Sequence, residues 1–235
     1  MQKILGSVRR TVQQYEMLPA GRRVAVGLSG GKDSVALLCS LARLQKIYDD
    51  RFSLVAVTLD PRFGGVGTDY SVLGALCDSL GVPWHFERTD IGPIVFDTRQ
   101  EKNPCSLCAK LRRGALCRAA ASLGCDTLAL GHHMDDALET FVMNLQNGTL
   151  ACFSPVTHLD DCRITVIRPL ACTPEHEIAK AVRRARLPVV KSTCPKDGAS
   201  RRQEVKEFLL QQEKADPGLK ERMLTALQKA HLSGW

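Results

Sequence analysis

A glycine-rich loop near the N-terminus carries the first residues whose types and spacing could do chemistry. The segment Val24–Ser34 reads VAVGLSGGKDS, an apolar run followed by a loop and by the start of an amphipathic helix. Adjacent glycines let backbone N–H groups approach an anion closely, and the N-terminus of a helix adds a favourable field. Asp33 follows Lys32 where a Walker A loop has Ser or Thr, so the loop is of another type. We expect a phosphate group to be bound by Ser29, Gly30, Gly31, Lys32, Asp33 and Ser34.

A run rich in histidine and acidic residues forms the second candidate site. Residues 128–144 read LALGHHMDDALETFVMN, an apolar stretch followed by a helical pattern. An aspartate at a helix start is an ordinary cap and a favourable partner for the helix dipole. A cap explains one aspartate, but it does not explain His132, His133, Asp135 and Asp136 in one short run. The run therefore predicts a functional site as well as a helix start.

Three of the ten cysteines form the third candidate site. Cys105 and Cys108 have Cys-x-x-Cys spacing, so both sulfurs can share one face of a helix. A thiol at a helix N-terminus is acidified toward thiolate, the form that binds metal or attacks sulfur. Cys194 lies in a break between helices and is our candidate for the third sulfur. Three thiolates suit an iron–sulfur cluster with one open iron, a zinc ion with an open position, or a redox pair with a sulfur carrier.

The other seven cysteines are assigned no chemistry. Cys39 and Cys77 lie inside helical patterns and Cys125 adjoins a strand, which are positions typical of small core residues. Cys117 lies nine residues after Cys108, and therefore half a turn away on the opposite face of the helix. Three further cysteines have no place in this scheme: Cys152, Cys162 and Cys172.

Composition bounds the class of protein. A chain of 235 residues, 44% of them hydrophobic, is long enough for one substantial core with a small appendage. The sequence has no run of 18 apolar residues and no secretory signal, so we expect a cytoplasmic protein without a membrane span. In that compartment the cysteines are interpreted as thiols, metal ligands or redox groups rather than as a disulfide scaffold.

Positive charge is concentrated toward the C-terminus. Between Ile178 and Lys206 the sequence has nine basic and two acidic residues, an excess equal to the net charge of +7 of the whole chain. A basic segment of this density is typical of a protein with a polyanionic partner, and a solvated helix face is the alternative. The basic residues are Lys180, Arg183, Arg184, Arg186, Lys191, Lys196, Arg201, Arg202 and Lys206.

Apolar runs and helical patterns alternate along most of the chain. This alternation predicts an α/β fold with a doubly wound parallel sheet, followed by a helical C-terminal segment. The predicted strands are Val24–Leu28, Ser53–Leu59, Val82–Glu87, Asp126–Leu130 and Arg163–Ile167. The predicted helices between them are Ser34–Ile47, Tyr70–Leu80, Ser106–Ser122 and Asp135–Asn147, with further helices over 2–17, 174–186, 200–213 and 217–230. We divide the chain into an N-terminal helix (1–20), a nucleotide-binding domain that includes the Cys-x-x-Cys helix (21–172) and a basic helical segment that completes the site (173–235).

The candidate residues converge in this fold. Ser29, Asp60 and His132 each follow a predicted strand. The carboxyl ends of parallel strands lie at one edge of the sheet, where ligands bind. The glycine-rich segment Pro61–Thr68 is predicted to be a mobile loop over the nucleotide. The sequence therefore predicts one active site at the carboxyl edge.

Several motifs together resemble those of a known family. SGGKDS resembles the PP-loop signature of the ATP pyrophosphatase superfamily, whose members split ATP between the α and β phosphates. Together with PCSLCAKLRRG, LGHHMDDALET, IRPLA and the late CP-x-DG, it resembles the tRNA 2-thiocytidine synthetase family from about Arg22 to Phe208. The resemblance implies a PP-loop fold of the adenine nucleotide alpha hydrolase-like type. It also implies ATP-dependent replacement of the C2 oxygen of an anticodon-loop cytidine by sulfur.

The resemblance also implies cofactors, partners and roles. A 4Fe–4S cluster would be held by Cys105, Cys108 and Cys194. ATP would be accompanied by Mg²⁺, held by Asp33 together with either Asp135 or Asp136. The partners would be tRNA and a sulfur donor, either a cysteine desulfurase or inorganic sulfide, with a homodimer as the implied assembly. The implied catalytic residues are Lys32, Asp33, Asp136, Cys105, Cys108 and Cys194, and the further nucleotide-binding residues are Asp60, Gly131 and His132. The sequence after Cys194 is Pro-Lys-Asp-Gly instead of the Gly-Ser-Gln of better-known members, so the chain resembles a shorter branch of the family.

Two other functions remain compatible with the motifs. One is a PP-loop ligase without sulfur transfer, of lysidine or amide-forming type, with structural zinc on the cysteines. The other is a non-catalytic ATP-binding RNA or iron–sulfur carrier. The complete SGGKDS and HHMDD segments count against the carrier, because simple binding does not require an acidic Mg²⁺ site.

Overall fold

The computed structural model describes residues 1–48, 51–100, 104–196 and 201–235. Its strands are β1 Arg23–Gly27, β2 Ser53–Asp60, β3 Trp84–Arg88, β4 Thr127–Ala129, β5 Val156–Leu159 and β6 Ile164–Ile167. Its helices are α1 Gln2–Gln14, α2 Lys32–Ile47, α3 Ser71–Leu80, α4 Pro104–Ser122, α5 Met134–Gln146, α6 Glu175–Arg184, α7 Arg201–Ala215 and α8 Leu219–Lys229. Short helical turns cover Phe63–Gly65 and Leu232–Gly234, and a π-helical turn covers Pro93–Thr98.

The strands form one sheet in the order β3-β2-β1-β4-β6-β5. All neighbouring pairs are parallel except β5 and β6, which are antiparallel. The doubly wound parallel sheet predicted from the sequence is therefore confirmed, with one addition. Strand β5 was not predicted, because it is short, only partly buried and joined to β6 by a tight turn instead of a helix.

Helices cover both faces of the sheet. Because side chains alternate across a strand, Val24 and Val26 of β1 face one layer and Ala25 faces the other. The first layer is built mainly from α1, α2, α3 and α6, and the second is built around α4. A third apolar cluster joins α5 to α7 and α8. The C-terminal helices are thus attached to α5, the helix that carries the acidic run.

The N-terminal helix is part of the first layer. The segment predicted as helix over residues 2–17 is helical over Gln2–Gln14, and its residues Ile4, Val8 and Val12 are buried. The Thr173 hydroxyl, also buried, donates a hydrogen bond to the Ser7 hydroxyl at 2.9 Å. The domain limits proposed from the sequence stay a prediction. Among the described residues, no helix is both long and apolar enough to cross a membrane.

Most of the cysteines without assigned chemistry are core residues. Cys39, Cys77 and Cys125 are buried, which agrees with their predicted packing, and Cys117 is buried as well. Cys117 contacts Cys162, and burial together with that contact raises the pKa of Cys117 to about 12. Such thiols are protonated at neutral pH and poorly suited to bind metal.

Candidate active site

The loop between β1 and α2 is held in one conformation by its surroundings. Gly30 has φ +86°, a backbone conformation that side chains rarely adopt. Its carbonyl oxygen accepts a hydrogen bond from the backbone N–H of Val190 at 2.9 Å. A Cβ on Gly30 would lie 2.8 Å from the Cβ of Val190, so the close approach also requires glycine. The loop is therefore fastened to the segment that carries Cys194.

Hydroxyl groups close the loop on its other side. The Ser34 hydroxyl donates to the Gly31 carbonyl at 2.9 Å, and the Ser29 hydroxyl lies 3.2 Å from that of Ser34. Gly31 is the N-terminal cap of α2. The N–H groups of the first helical turn therefore have no partner within the helix and are directed toward the loop. This geometry suits an anion, as predicted from the sequence.

A cavity of about 720 Å³ lies at the carboxyl edge of the sheet, beside this loop. Val57 and Leu59 of β2 give it an apolar wall, and Ser106 and Ala109 of α4 line another side. Its volume lies within the range of small-molecule binding sites. The predicted residues that line it are Ser29, Gly31, Asp33, Ser34, Gly131, His132 and Asp136.

The Lys32 ammonium group is engaged by two carboxylates. Asp33 and Glu175 each bind the Nζ atom at 2.9 Å. Burial lowers the pKa of Lys32, but these two carboxylates outweigh burial and raise it above its ordinary value. The loop lysine is therefore charged and tied to α6.

Glu175 connects the loop to the C-terminal helices. Its carboxylate also binds the Lys206 ammonium group of α7, at 2.7 Å. Burial would raise the pKa of Glu175, but Lys206 and Lys32 lower it to about 2. The Glu175 backbone N–H donates to Asp135 at 2.7 Å, and Asp135 also binds Lys220 of α8 at 2.7 Å. Sequence reasoning missed Glu175, because a glutamate at a helix start looks like an ordinary partner of the helix dipole.

The acidic run divides into a structural part and a part that faces the cavity. Asp135 is buried and fully engaged by Lys220 and Glu175, whereas Asp136 borders the cavity. His133 and Asp136 form a reciprocal cap at the start of α5. The Asp33 Oδ1 atom is buried and has no hydrogen-bond partner among the described residues. Asp33 and Asp136 therefore fit Mg²⁺, which requires only one or two carboxylates beside phosphate oxygens.

Arg202 of α7 covers the acidic start of α5. Its guanidinium group lies 3.3 Å from Asp136, 3.4 Å from Glu139 and 3.2 Å from the Thr140 hydroxyl. Burial raises the pKa of Glu139 to about 7, and the negative charge of Asp136 acts in the same direction. Arg202, read from the sequence as part of the basic segment, thus contacts the candidate site itself.

Gly131 and His132 lie against the loop. A Cβ on Gly131 would be 3.0 Å from the backbone nitrogen of Ser34, so only glycine allows this approach. Burial lowers the pKa of His132 to about 4, which keeps its ring neutral at pH 7. The ring packs against that of Phe153, with the centroids 5.4 Å apart and the planes tilted by 41°, and its Nδ1 atom has no partner among the described residues.

Asp60, the last residue of β2, is buried and does not line the cavity. Its carboxylate accepts hydrogen bonds from the backbone N–H groups of Arg62 and Thr68, at 3.0 and 3.2 Å. Asp60 therefore fixes both ends of the segment Pro61–Thr68. The Thr68 hydroxyl in turn lies 3.5 Å from that of Thr193, beside Cys194.

The three candidate cysteines share one neighbourhood. Cys105 is exposed in the first turn of α4, Cys108 is buried one turn further, and Cys194 is partly buried. Burial raises the pKa of Cys108, Arg112 lowers it, and negative charge on Cys194 or Cys105 would raise it. The expected acidification is therefore wrong for Cys108, because burial outweighs the positive charge of Arg112.

The donor set fits a metal centre in its chemistry. Cysteine thiolates are the usual ligands of iron–sulfur clusters, where a set of three leaves one iron open, and they also suit zinc. Within the described ranges, however, no three Cys, His, Asp or Glu side chains converge closely enough to hold one metal ion. The thiols would have to approach each other to ligate a cluster, and the two segments that carry them are already neighbours.

Arg168 is a cavity residue that sequence reasoning missed. It follows β6 directly and lines the cavity. The sequence offered a signal, because residues that follow strands were already expected at the carboxyl edge. The motif IRPLA indicates only a family resemblance and predicts no role for its arginine.

These features define a class of protein: a nucleotide-binding α/β protein with a PP-loop at the carboxyl edge of its sheet. The PP-loop domain family matches residues 5–213. Two relatives are each named tRNA-cytidine(32) 2-sulfurtransferase. The one from Citrifermentans bemidjiense is 37% identical over 233 residues, 97% of this chain and 91% of the relative. The one from Geobacter sulfurreducens is 39% identical over 229 residues, 96% of this chain and 88% of the relative.

A solved structure is similar along nearly the whole chain. It is the U34-tRNA thiolase NcsA from Methanococcus maripaludis with its 4Fe–4S cluster, with a TM-score of 0.81 and 28% identity. The match covers 97% of this chain and 78% of that protein. This chain belongs to the PP-loop family, in the group that includes the tRNA-cytidine(32) 2-sulfurtransferases. The resemblance stated from the sequence motifs is thus confirmed.

Proposed function

We propose that this chain uses ATP to replace the C2 oxygen of a cytidine in tRNA by sulfur, with cytidine 32 as the target. Relatives that carry this activity in their names match 97% and 96% of the chain. The observation that carries the proposal is the double role of α4. The helix begins with Cys105 and Cys108, and its residues Ser106 and Ala109 line the nucleotide cavity. Sulfur chemistry and ATP chemistry therefore meet on one helix.

The first step is activation of the base. The C2 carbonyl oxygen of cytidine attacks the α-phosphorus of ATP, an O–P bond forms, and pyrophosphate leaves. The loop amides and Lys32 would stabilise the negative charge that builds up on the phosphates. Asp33 and Asp136 would hold Mg²⁺, which supplies further charge stabilisation. Activation converts a poor leaving oxygen into AMP, a good leaving group.

The second step is replacement of oxygen by sulfur. A sulfide sulfur attacks C2, the C–O bond breaks, and AMP leaves with the former carbonyl oxygen. Cys105, Cys108 and Cys194 would hold a 4Fe–4S cluster, which supplies an open iron that can bind sulfide. The exposed position of Cys105 and the partial exposure of Cys194 give a sulfur donor access to this region.

The tRNA would approach over exposed basic residues at the end of α6 and in the chain that follows it. They are Arg183, Arg184, Arg186, Lys191 and Lys196, and Cys194 lies among them. Binding through such contacts should weaken steeply with salt. Cysteine desulfurase or inorganic sulfide is the proposed sulfur donor. A homodimer and a cytoplasmic location, where ATP and tRNA are both available, complete the proposal.

The test is a thiolation assay under anaerobic conditions. Protein purified without oxygen is incubated with ATP, Mg²⁺, sulfide and a tRNA transcript, and the digested nucleosides are analysed by mass spectrometry. We expect 2-thiocytidine, one pyrophosphate released for each sulfur incorporated, and no product from a transcript with uridine at position 32. The variant Lys32→Ala should release no pyrophosphate, while the control Lys46→Ala, at an exposed lysine of α2 outside both the cavity and the basic segment, should retain activity.

Other reaction products would indicate a different activity. Thiouridine at position 34 instead of 2-thiocytidine would assign the chain to the activity named for the solved neighbour. Pyrophosphate release with an amine substrate and without sulfur would indicate a ligase. Normal turnover by Lys32→Ala would refute the role of the loop lysine.

A further inference from the structure

Arg168 occupies an unusual position in the cavity wall. Its Nη1 atom donates to the Ser154 carbonyl at 2.6 Å and to the Thr157 hydroxyl at 3.1 Å. The guanidinium group lies 5.0 Å above the ring of Phe153, in cation–π geometry. The side chain is therefore fixed by three contacts before any substrate is considered.

The other edge of the guanidinium group meets no acceptor in the part of the chain that the structure describes. The Nε atom is fully buried and has no hydrogen-bond partner among the described residues. Both hydrogen bonds found for Arg168 use Nη1, so the pair of donors formed by Nε and Nη2 stays available. Two parallel donors of this kind match the two oxygens of a phosphate or carboxylate group.

The charge of Arg168 is also uncompensated. Within the described part of the chain, no aspartate or glutamate forms an ion pair with it. Burial lowers the pKa of Arg168 to about 10, and the positive charge of Arg113 acts in the same direction. At neutral pH Arg168 and Arg113 are thus both positively charged in a cavity that Lys110 and Arg112 also line, and a buried cation without a partner is costly. An anion placed between them would remove that cost.

The order of strands locates this anion relative to the nucleotide. Along the carboxyl edge, the cavity is lined by apolar residues of β2, then by the loop after β1, then by His132 after β4 and finally by Arg168 after β6. Neighbouring strands are about 4.8 Å apart, so Arg168 lies about 10 Å along the edge from the strand that carries the loop. The apolar wall formed by β2 suits the adenine base, and Arg168 lies on the opposite side of the cavity.

We propose that Arg168 is a phosphate-binding residue of the active site, which holds a substrate phosphate through its Nε and Nη2 atoms. Two phosphates can come this close, the α-phosphate of ATP and the phosphodiester of the RNA beside the target base. The RNA source rests on the proposed function, whereas the nucleotide source requires only that the cavity binds ATP. Phe153 supports the arginine and is itself held by Trp235, whose indole N–H donates to the Phe153 carbonyl at 2.7 Å.

Binding measurements test the proposal without any turnover. Adenosine, AMP and a tRNA transcript are titrated into the anaerobically purified protein and into the variants Arg168→Met, Arg168→Lys and Arg118→Met. Arg118 is an exposed arginine of α4 outside the cavity and serves as the matched control. Loss of a charge-assisted pair of hydrogen bonds in Arg168→Met should lower the affinity for AMP or for tRNA about 10- to 100-fold. Arg168→Lys should lose less affinity, because lysine keeps the positive charge but not the two parallel N–H donors.

The pattern of losses identifies the source. Weaker binding of AMP with unchanged binding of adenosine assigns the α-phosphate, and weaker binding of tRNA with unchanged AMP assigns the phosphodiester. The proposal is wrong if AMP and tRNA both bind Arg168→Met within twofold of the wild type. It is equally wrong if adenosine loses as much affinity as AMP, since the substitution has then disturbed the cavity as a whole. A chain that binds AMP through Arg168 but makes no 2-thiocytidine would refute the proposed function alone.

Discussion

The phosphate loop and the cysteine site are built in different ways. The loop uses six consecutive residues, and its geometry is set by backbone contacts such as the hydrogen bond from Val190 to Gly30. The cysteine site joins the start of α4 to the segment before α7, which are more than 80 residues apart in the chain. Its thiols are neighbours, but no three ligands converge among the described residues.

This difference has a physical origin. A loop of backbone amides is fixed by the same hydrogen bonds and close contacts that fix the fold, so it is preorganised for phosphate. Three thiols held close together would repel each other once they lose their protons, and metal binding supplies the compensation. Closure of the cysteine site should therefore depend on metal, whereas the phosphate loop should not.

The largest effect should follow from removal of a single cysteine. Wild-type protein purified without oxygen should be brown and contain iron, whereas Cys105→Ala, Cys108→Ala and Cys194→Ala should each lose visible absorption, iron and thiolation. Because the loop is built separately, ATP affinity should stay within about twofold of the wild type. Iron analysis, absorption spectra and calorimetric ATP titration measure these properties.

A matched variant makes this test specific. Cys162→Ala removes a partly buried cysteine outside the site and should keep both iron and activity. Full thiolation by Cys194→Ala would remove that residue from the site. Colourless wild-type protein with bound zinc would contradict the cluster and favour a ligase, and loss of ATP binding in the cysteine variants would show that the two regions are not independent.

The sequence predicted the loop and the acidic run because each is contiguous and lies at a strand end. It also predicted the layers of the fold, since apolar runs and amphipathic helices alternate. It could not predict that Glu175 binds Lys32, because this pair joins residues that are 143 positions apart and neither is unusual in its local sequence. It also missed β5, a strand of four partly buried residues without a strong apolar pattern.

Gly30→Ala should have the next largest effect, because it disturbs the backbone conformation of the loop. The new Cβ would require a strained φ of +86° and would lie 2.8 Å from the Cβ of Val190. Strain of about 1–2 kcal/mol and the displacement of Val190 should weaken ATP binding at least about 10-fold. Gly124→Ala is the control, since Gly124 precedes β4 away from the carboxyl edge and has φ +70° but open space around its added Cβ.

A double variant separates strain from collision. Gly30→Ala with Val190→Gly removes the Cβ that would be struck, so ATP affinity should recover in part. If Gly30→Ala binds ATP as tightly as Gly124→Ala does, the loop is not held by this contact and the contrast between the two regions fails. Calorimetric titration of ATP into all four proteins decides the question.

The smallest effect should come from Glu175→Gln, which weakens the tie between the loop and α7. The carboxylate has a pKa of about 2 in the folded protein, below its ordinary value of 4.5, mainly because Lys206 and Lys32 favour its charged form. A lowered pKa contributes stability that is fully present above pH 4.5 and is lost as the pH falls toward 2. The variant should therefore be less stable than the wild type by about 1–2 kcal/mol at pH 7, where partial exposure limits the gain. Urea unfolding at pH 7, 4 and 3 measures this difference, which should shrink at each step. A difference that stays constant with pH would mean that Glu175 acts by packing, and that Lys32 depends on the backbone of its loop alone.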